Sequence, residues 1–400
     1  MLHLLALLTP PQDPPTTVPE EKPVLQSIGI EKLVLGGDIR LRWESHDPLP
    51  PVRNASSRSE GTGRFRVHLD ATFDENLSGF VQFQETVLDQ GGQSESFLHQ
   101  GYGTLHNVLD TIEVQVGRFE MQYGNQRMIS PLDWSQVGRA WDGARAVLAT
   151  GDGRWQGDLF WTSPVENQVN NAPDSEFGGL YGQWNGAPLS VDGYVLRRNA
   201  MGLDDYTVGA LVDGGPGTLT WNAEAAVQVG DHGPLDAFAY AVAGRLDWNF
   251  QGADGARVGL GYELASGDED PSDGDSGTFF RLFNFDHAYQ GYADIVVWQN
   301  IQDLVVRSWW PLGNGWGISG DVHWLNLASE DDALYTGVGG AGAVASGTDG
   351  NVGTEIDVTL RGSFLNRLEI WTGVAQFFAG DAIQNGADQT WIFVQATLPF

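Results

Sequence analysis

The side chains of this chain best suited to act on a solute are arginines. Lysine occurs only as Lys22 and Lys32, so 19 of the 21 basic residues are arginine. Arg40 and Arg42 stand two apart, as do Arg64 and Arg66, and that spacing puts both members of a pair on one face of a strand. A guanidinium stays charged, forks onto carboxylates and tolerates semi-enclosed sites. An arginine-only basic set therefore points to ordered, partly buried ion pairing, although a GC-rich genome gives the same bias. Other chemistries lack their residues. There is no cysteine, which removes disulfides and thiolate metal sites. The 8 histidines form no H-E-x-x-H and no close pair, and G-x-S-x-G does not occur. No catalytic residue, metal or cofactor is expected. Gly337 to Gly342 fits G-x-G-x-x-G, but in a Gly/Ala-rich stretch with no βαβ context it marks no nucleotide site. Asp268 to Asp275 lacks the glycine a calcium loop needs at its sixth position and reads as a solvated acidic loop, and His287 reads as a hydrogen-bonded loop residue.

The elements that must position these arginines carry a period of two. Ile39, Leu41 and Trp43 share one face, and Asp38, Arg40, Arg42 and Glu44 the other. Phe65, Val67, Leu69, Ala71 and Phe73 oppose Arg64, Arg66, His68, Asp70 and Thr72 in the same way. The pattern recurs through Leu219 to Val229, Phe238 to Phe250 and Ile356 to Phe364. A soluble sandwich buries the apolar face of such strands, whereas a lipid-facing barrel turns it outward. Connection lengths separate the two. Strands expected to begin near residues 33, 64, 77, 97, 112, 140, 154, 178, 188, 206, 218, 237, 256, 303, 315, 354, 367 and 389 number about 18. Their connections alternate between tight Gly/Asn/Asp/Pro turns and longer segments such as 45–63, 120–139, 163–177, 266–302 and 328–353. A membrane barrel imposes that alternation through short periplasmic turns and long extracellular loops. The expected fold is all-β: a single transmembrane antiparallel β-barrel over residues 25–400.

The 52 acidic side chains leave a net charge of −31, which repels nucleic acid and excludes it as a partner. No stretch approaches the roughly 20 apolar residues of a transmembrane helix. Met1 to Leu8 resembles a clipped signal h-region without a basic start or an A-x-A-like cleavage site. The six prolines of Thr9 to Pro23 mark a disordered lead-in, so residues 1–24 are set apart from the barrel. Trp391 to Phe400 closes the chain on an apolar face in phase with its terminal aromatic, which looks like the assembly signal of outer-membrane barrels.

The segment Val116 to Arg145, VGRFEMQYGNQRMISPLDWSQVGRAWDGAR, resembles the alginate export family of outer-membrane barrels, and so does Gly261 to Asp303, with GYELASGDED and FFRLFNFDHAYQGYADIVVWQNIQD. The resemblance runs from Leu33 to Phe400. It implies an 18-stranded barrel in the outer membrane of a Gram-negative-type bacterium, passing an anionic polysaccharide or small anionic solutes through an arginine-bearing lumen, and working alone or with a polysaccharide secretion complex. Carried over residue by residue, it implies that Arg118, Arg127, Arg139 and Arg145 line the constriction. Arg40, Arg42, Arg64 and Arg66 join them by their strand period. Tyr123, Gly124, Asp133, Trp134 and Asp142 are implied to shape a loop folded into the lumen. The competing expectation is that the arginines pair with Asp38, Glu44, Asp70, Glu113, Asp133 and Asp142 and merely hold the interior in shape, leaving a structural or surface-interaction barrel with a plugged lumen.

Overall fold

The computed structural model describes residues 29–400 apart from 89–92, 167–174, 201, 216, 251–254, 338–341 and 345–348, so the signal remnant, the proline-rich lead-in and most of the GVGGAG motif lie outside the described residues. Eighteen antiparallel strands form the wall: β1 (Lys32–Asp47), β2 (Arg58–Thr72), β3 (Leu77–Leu88), β4 (Gln93–Val108), β5 (Ile112–Phe119), β6 (Trp141–Ala149), β7 (Trp155–Pro164), β8 (Glu176–Asn185), β9 (Leu189–Ala200), β10 (Leu203–Gly214), β11 (Leu219–His232), β12 (Leu235–Asn249), β13 (Arg257–Ala265), β14 (Ile301–Gly313), β15 (Trp316–Asn326), β16 (Asn351–Phe364), β17 (Leu368–Ala379) and β18 (Gln389–Pro399). Each pairs with its neighbours in sequence, and β18 returns to β1 with Asp38 opposite Pro399 and Asp47 opposite Thr390. Closure leaves no unpaired edge, which the hydrocarbon core demands.

The alternation is inverted relative to a soluble protein. On β1, Arg40, Arg42 and Glu44 are buried while Leu41 is 62% exposed, and on β12 the outward Phe238 reaches 66% against a fully buried inward Ala239. Outward aromatics gather at both rims: Trp155, Trp248 and Trp310 on the short-turn side, and Trp43, Trp161, Tyr206 and Trp324 on the loop side. That is the two-girdle arrangement of an outer-membrane wall.

The expected strand count holds, but strands arriving from the loop side start earlier than their hydropathy indicates. β2 begins at Arg58 rather than 64 and β4 at Gln93 rather than 97. A strand of 16 residues, as in β1, exceeds the roughly 10 that span the apolar layer, so its ends run past that layer and the alternation lapses there. The same projection corrects the loop pattern. Although loop-side connections were expected to be long, β3 and β4, β9 and β10, and β11 and β12 are separated by four, two and two residues. The opposite turns are tight, three of them with consecutive left-handed residues, Leu109–Asp110, Asn314–Gly315 and Leu365–Asn366.

The β1–β18 seam shows how the last residue is held. Gly37 and Phe400 exchange backbone hydrogen bonds of 2.9 Å each way. The Phe400 ring stacks on Phe65 at 6.1 Å and lies over Gly37, where an added Cβ would fall 2.6 Å from the ring. Removing Phe400, or replacing it with Asp, is expected to lower outer-membrane yield and the heat-modifiable band several-fold, with Phe400→Tyr close to wild type. Unchanged yield would show that the seam does not need its terminal ring. For orientation, Ser272→Cys and Asp331→Cys should react with an impermeant maleimide on intact cells while Asn366→Cys in a periplasmic turn stays unlabelled. The reverse pattern would invert the barrel.

Candidate functional site: a lumen crossbar held by arginine

Arg40 lies directly opposite Arg64 across the β1–β2 ladder, and Arg66 follows opposite Asp38. Like charges facing each other destabilise a sheet unless an anion joins them. The anion is Asp133, carried inward by the 120–140 loop. Its Oδ2 accepts from Arg40 at 2.7 Å, and its Oδ1 accepts from Arg64 at 2.7 Å and Arg66 at 3.1 Å. Arg40 also donates to the Asp133 carbonyl. Burial works to raise the Asp133 carboxyl, but Arg64, Arg40 and Arg66 outweigh it and hold it well below the usual carboxylate range. Arg64 further meets Asp38 at 3.0 Å, and Arg66 meets Gln84 at 2.5 Å and Glu120 at 3.5 Å. Arg42 pairs with Glu44 at 2.8 Å, donates to the Trp134 carbonyl at 2.7 Å and stacks 4.0 Å from its ring centroid.

From this anchor the loop reaches the other walls. Trp134 stacks on His287 at 3.9 Å and meets Phe393 of β18 at 5.3 Å. Tyr123 stacks on Tyr181 of β8 at 4.6 Å and donates to Asp158 of β7 at 2.8 Å. Gly124 is left-handed, with φ of +51°, and a Cβ there would fall 2.6 Å from the Tyr181 hydroxyl. Arg127 is fully buried between Glu263 of β13 at 2.6 Å and Glu224 of β11 at 3.6 Å, with Tyr289 3.9 Å away. The loop thus touches β1–β3, β7–β8, β11, β13 and β18, and lies across the lumen as a crossbar.

The 266–300 segment, expected outside the cell, descends beside it over its second half. Phe283 bridges Ile129, Tyr292 stacks on Phe393 at 6.5 Å, and the backbone N–H of Ala293 donates to Glu355 of β16 at 2.8 Å. It packs into an apolar lumen core with the crossbar and with a stripe of small residues on β12, Ala239, Ala241 and Ala243. Arg139 joins the two loops, donating to the Asn284 carbonyl at 3.1 Å. Burial and the neighbouring Arg281 bring its pKa down to about 10.

Seven of the eight expected arginines therefore project into the lumen, and most of them brace it. The pairing expectation describes Arg40, Arg42, Arg64 and Arg66, held by Asp133, Glu44 and Asp38, whereas Arg127 pairs with acids outside it, Glu263 and Glu224, and Arg139 grips carbonyls. Arg145 lies 4.0 Å from Asp158 and lines a cavity of about 210 Å³ with Tyr102, His106, Glu113 and Gln115. Arg118 and Asp142 are corrections. They stand opposite each other on the outer faces of β5 and β6, in phase with the exposed Val116, and form a two-pronged bridge of 2.8 Å contacts. Motif position could not reveal this, but the strand period could: Gln115 and Phe119 point inward, so Arg118 cannot.

Other lumen arginines were missed, among them Arg198, buried on β9 with Asp205 and donating to the Arg281 carbonyl at 2.8 Å, and four that meet in one place. Arg245, Arg257, Arg307 and Arg361 surround a cavity of about 230 Å³ with Tyr292 and Trp371 on the periplasmic half of the lumen. Arg307 also caps the Ala288 and Tyr289 carbonyls of the descending segment, at 2.8 and 2.5 Å. Arg245 and Arg361 already stood on polar strand faces. What the sequence hid is that β12–β14, β16 and β17 bring these four together.

Comparison with known proteins fits this wall. No curated protein matches the sequence. The structure is similar to Pseudomonas aeruginosa OccK5 (OpdH), with a TM-score of 0.66 and 13% identity over 93% of this chain and 99% of that one. It is similar to Pseudomonas aeruginosa OpdL at 0.65 and 13%, covering 92% and 98%, and to Acinetobacter baumannii OccAB4 at 0.62 and 11%, covering 93% and 99%. Identities this low speak for the fold alone. The alginate export family matches residues 31–396, nearly the whole described barrel. The chain is therefore an outer-membrane β-barrel of the Gram-negative type and belongs to the alginate export family.

Proposed function

We propose that this barrel is a passive channel for anionic solutes, an acidic saccharide foremost, which meet the lumen at the periplasmic vestibule of Arg245, Arg257, Arg307 and Arg361. That vestibule carries the reading. Guanidiniums replace water around a carboxylate through forked, charge-assisted bonds, and the Trp371 and Tyr292 rings supply flat faces for a sugar. Nearby acids temper the field: Asp247 lies 2.8 Å from Arg245, Asp321 3.7 Å from Arg307 and Glu369 3.6 Å from Arg361. Tempered sites suit transit, because binding must be weak enough for the solute to leave. Membrane lipid is the constant partner, and a secretion complex would dock on the periplasmic rim that bears this vestibule. The channel reading needs no catalytic chemistry or cofactor.

A structural barrel with a closed lumen is the second reading, favoured by the number of walls the crossbar touches. Conductance in planar bilayers separates the two. A channel of the proposed kind prefers anions at low salt, and the preference fades toward 1 M salt as the screening length shrinks to roughly 3 Å. Arg245→Gln with Arg361→Gln should move the reversal potential toward cations, and Arg118→Gln, on the outer face, should not. Cation preference in the unmodified barrel would overturn the anion reading, and absence of any conductance would favour the closed barrel.

A further inference from the structure

We infer that Arg40, Arg64 and Arg66 form a carboxylate-binding site that the chain fills with its own Asp133, and that a solute carboxylate competes for it and unlatches the crossbar. The inference rests on the channel reading for the identity of the solute and goes beyond it in assigning a gate.

Three guanidiniums within reach of one carboxylate are a costly arrangement for a wall that only needs to close. Arg40 and Arg64 face each other directly; the wall acid Asp38 meets Arg64 alone, and the carboxylate that joins the two arrives on a loop. The cluster is also under-used. The Nε atoms of Arg40 and Arg64 are buried without a hydrogen-bond partner, so the site holds more donors than Asp133 accepts from. A uronate ring, with a carboxylate and hydroxyls, carries more acceptors than an aspartate side chain.

Access runs in the needed direction. The arginine side chains are 3–8% exposed while that of Asp133 is 55% exposed, so the carboxylate sits at the open face of an otherwise enclosed cluster. A second anion can approach there before Asp133 leaves. The loop is also held in a conformation it would not choose alone: Leu132, just before Asp133, is left-handed at φ of +50°. Release of Asp133 frees that turn, with Trp134 leaving the slot between Arg42 and His287. The Arg127 anchor to Glu263 stays, so the motion is confined to the 130–140 half of the crossbar.

Multivalency sets the effective ligand. One carboxylate competes poorly with a tethered aspartate, whereas a chain of uronates already bound in the vestibule presents its next carboxylate at high effective concentration. Oligomers should therefore unlatch at lower concentration than monomers of the same sugar.

The test uses the full barrel in liposomes, where the absence of native cysteine allows Val137→Cys, buried in the latched crossbar, to report opening by its maleimide labelling rate. Adding Asp133→Asn, which keeps shape but removes the charge, should speed labelling roughly tenfold, the size expected for losing a charge-assisted bond. Asp133→Glu should restore slow labelling. Oligogalacturonate should speed labelling of the parent and not of the Asp133→Asn form, and maltooligosaccharide of equal length should do neither. Heat-modifiable migration confirms that each variant has folded. Equal labelling rates in parent and Asp133→Asn, or a parent indifferent to oligogalacturonate, would overturn the latch. Ion preference is measured separately: a latch that responds as expected in a cation-preferring pore would overturn the channel's proposed solute while leaving Asp133 as the self-ligand.

Discussion

Everything in this molecule follows from the requirement that each backbone amide in the hydrocarbon layer find a partner within the protein. The β1–β18 seam meets the last of that demand, and it does so at positions where Gly37 makes room for Phe400. Once the cylinder is closed, side chains have two solvents, lipid and lumen, and the period of two assigns each residue to one of them. Charges that would be intolerable outside accumulate inside. They must then be balanced there, by wall acids, by loop carbonyls or by a visiting anion.

That balance explains why the interior is braced rather than open. A wide barrel with inward arginines and acids would hold a large, highly charged volume of water. Two loops entering from one side replace much of that water with an apolar core of Met121, Ile129, Phe279 and Trp298, and each brings a few groups that neutralise the wall. Asp133 answers the β1–β2 arginines, and Arg127 answers Glu224 and Glu263 on the far side. Loop and wall are complementary in sign at opposite ends of one crossbar, so neither end is satisfied if the loop shifts as a rigid unit.

Most of the wall was legible in the sequence because lipid writes a local pattern. Leu219 to Val229 or Ile356 to Phe364 can be assigned without knowledge of any neighbour. The misses fall where lipid no longer dictates. Arg58 to Gly63 stands above the apolar layer, and the hydropathy of β2 is silent there although the ladder continues. The site was only partly legible for a different reason. The pairings of Arg40, Arg64 and Arg66 with Asp133 join residues more than 60 positions apart, and no local period records them. Arg118 was misplaced because motif membership was given precedence over phase. The arginines around Trp371 were not read as a group because each is alone on its strand.

The alternation of faces also has an evolutionary reading. Neighbouring letters of one strand answer to separate selections: outward positions to insertion, which accepts many apolar or aromatic side chains, and inward positions to traffic and bracing. A change at Val242 and a change at Ala243 are adjacent in the gene yet are tested by different parts of the cell's economy. Such a wall can exchange its lumen chemistry without renegotiating its place in the membrane, and can drift on its lipid side without disturbing what it carries. Divergence then proceeds on two clocks within the same ten residues, and the architecture outlasts the sequence that first specified it.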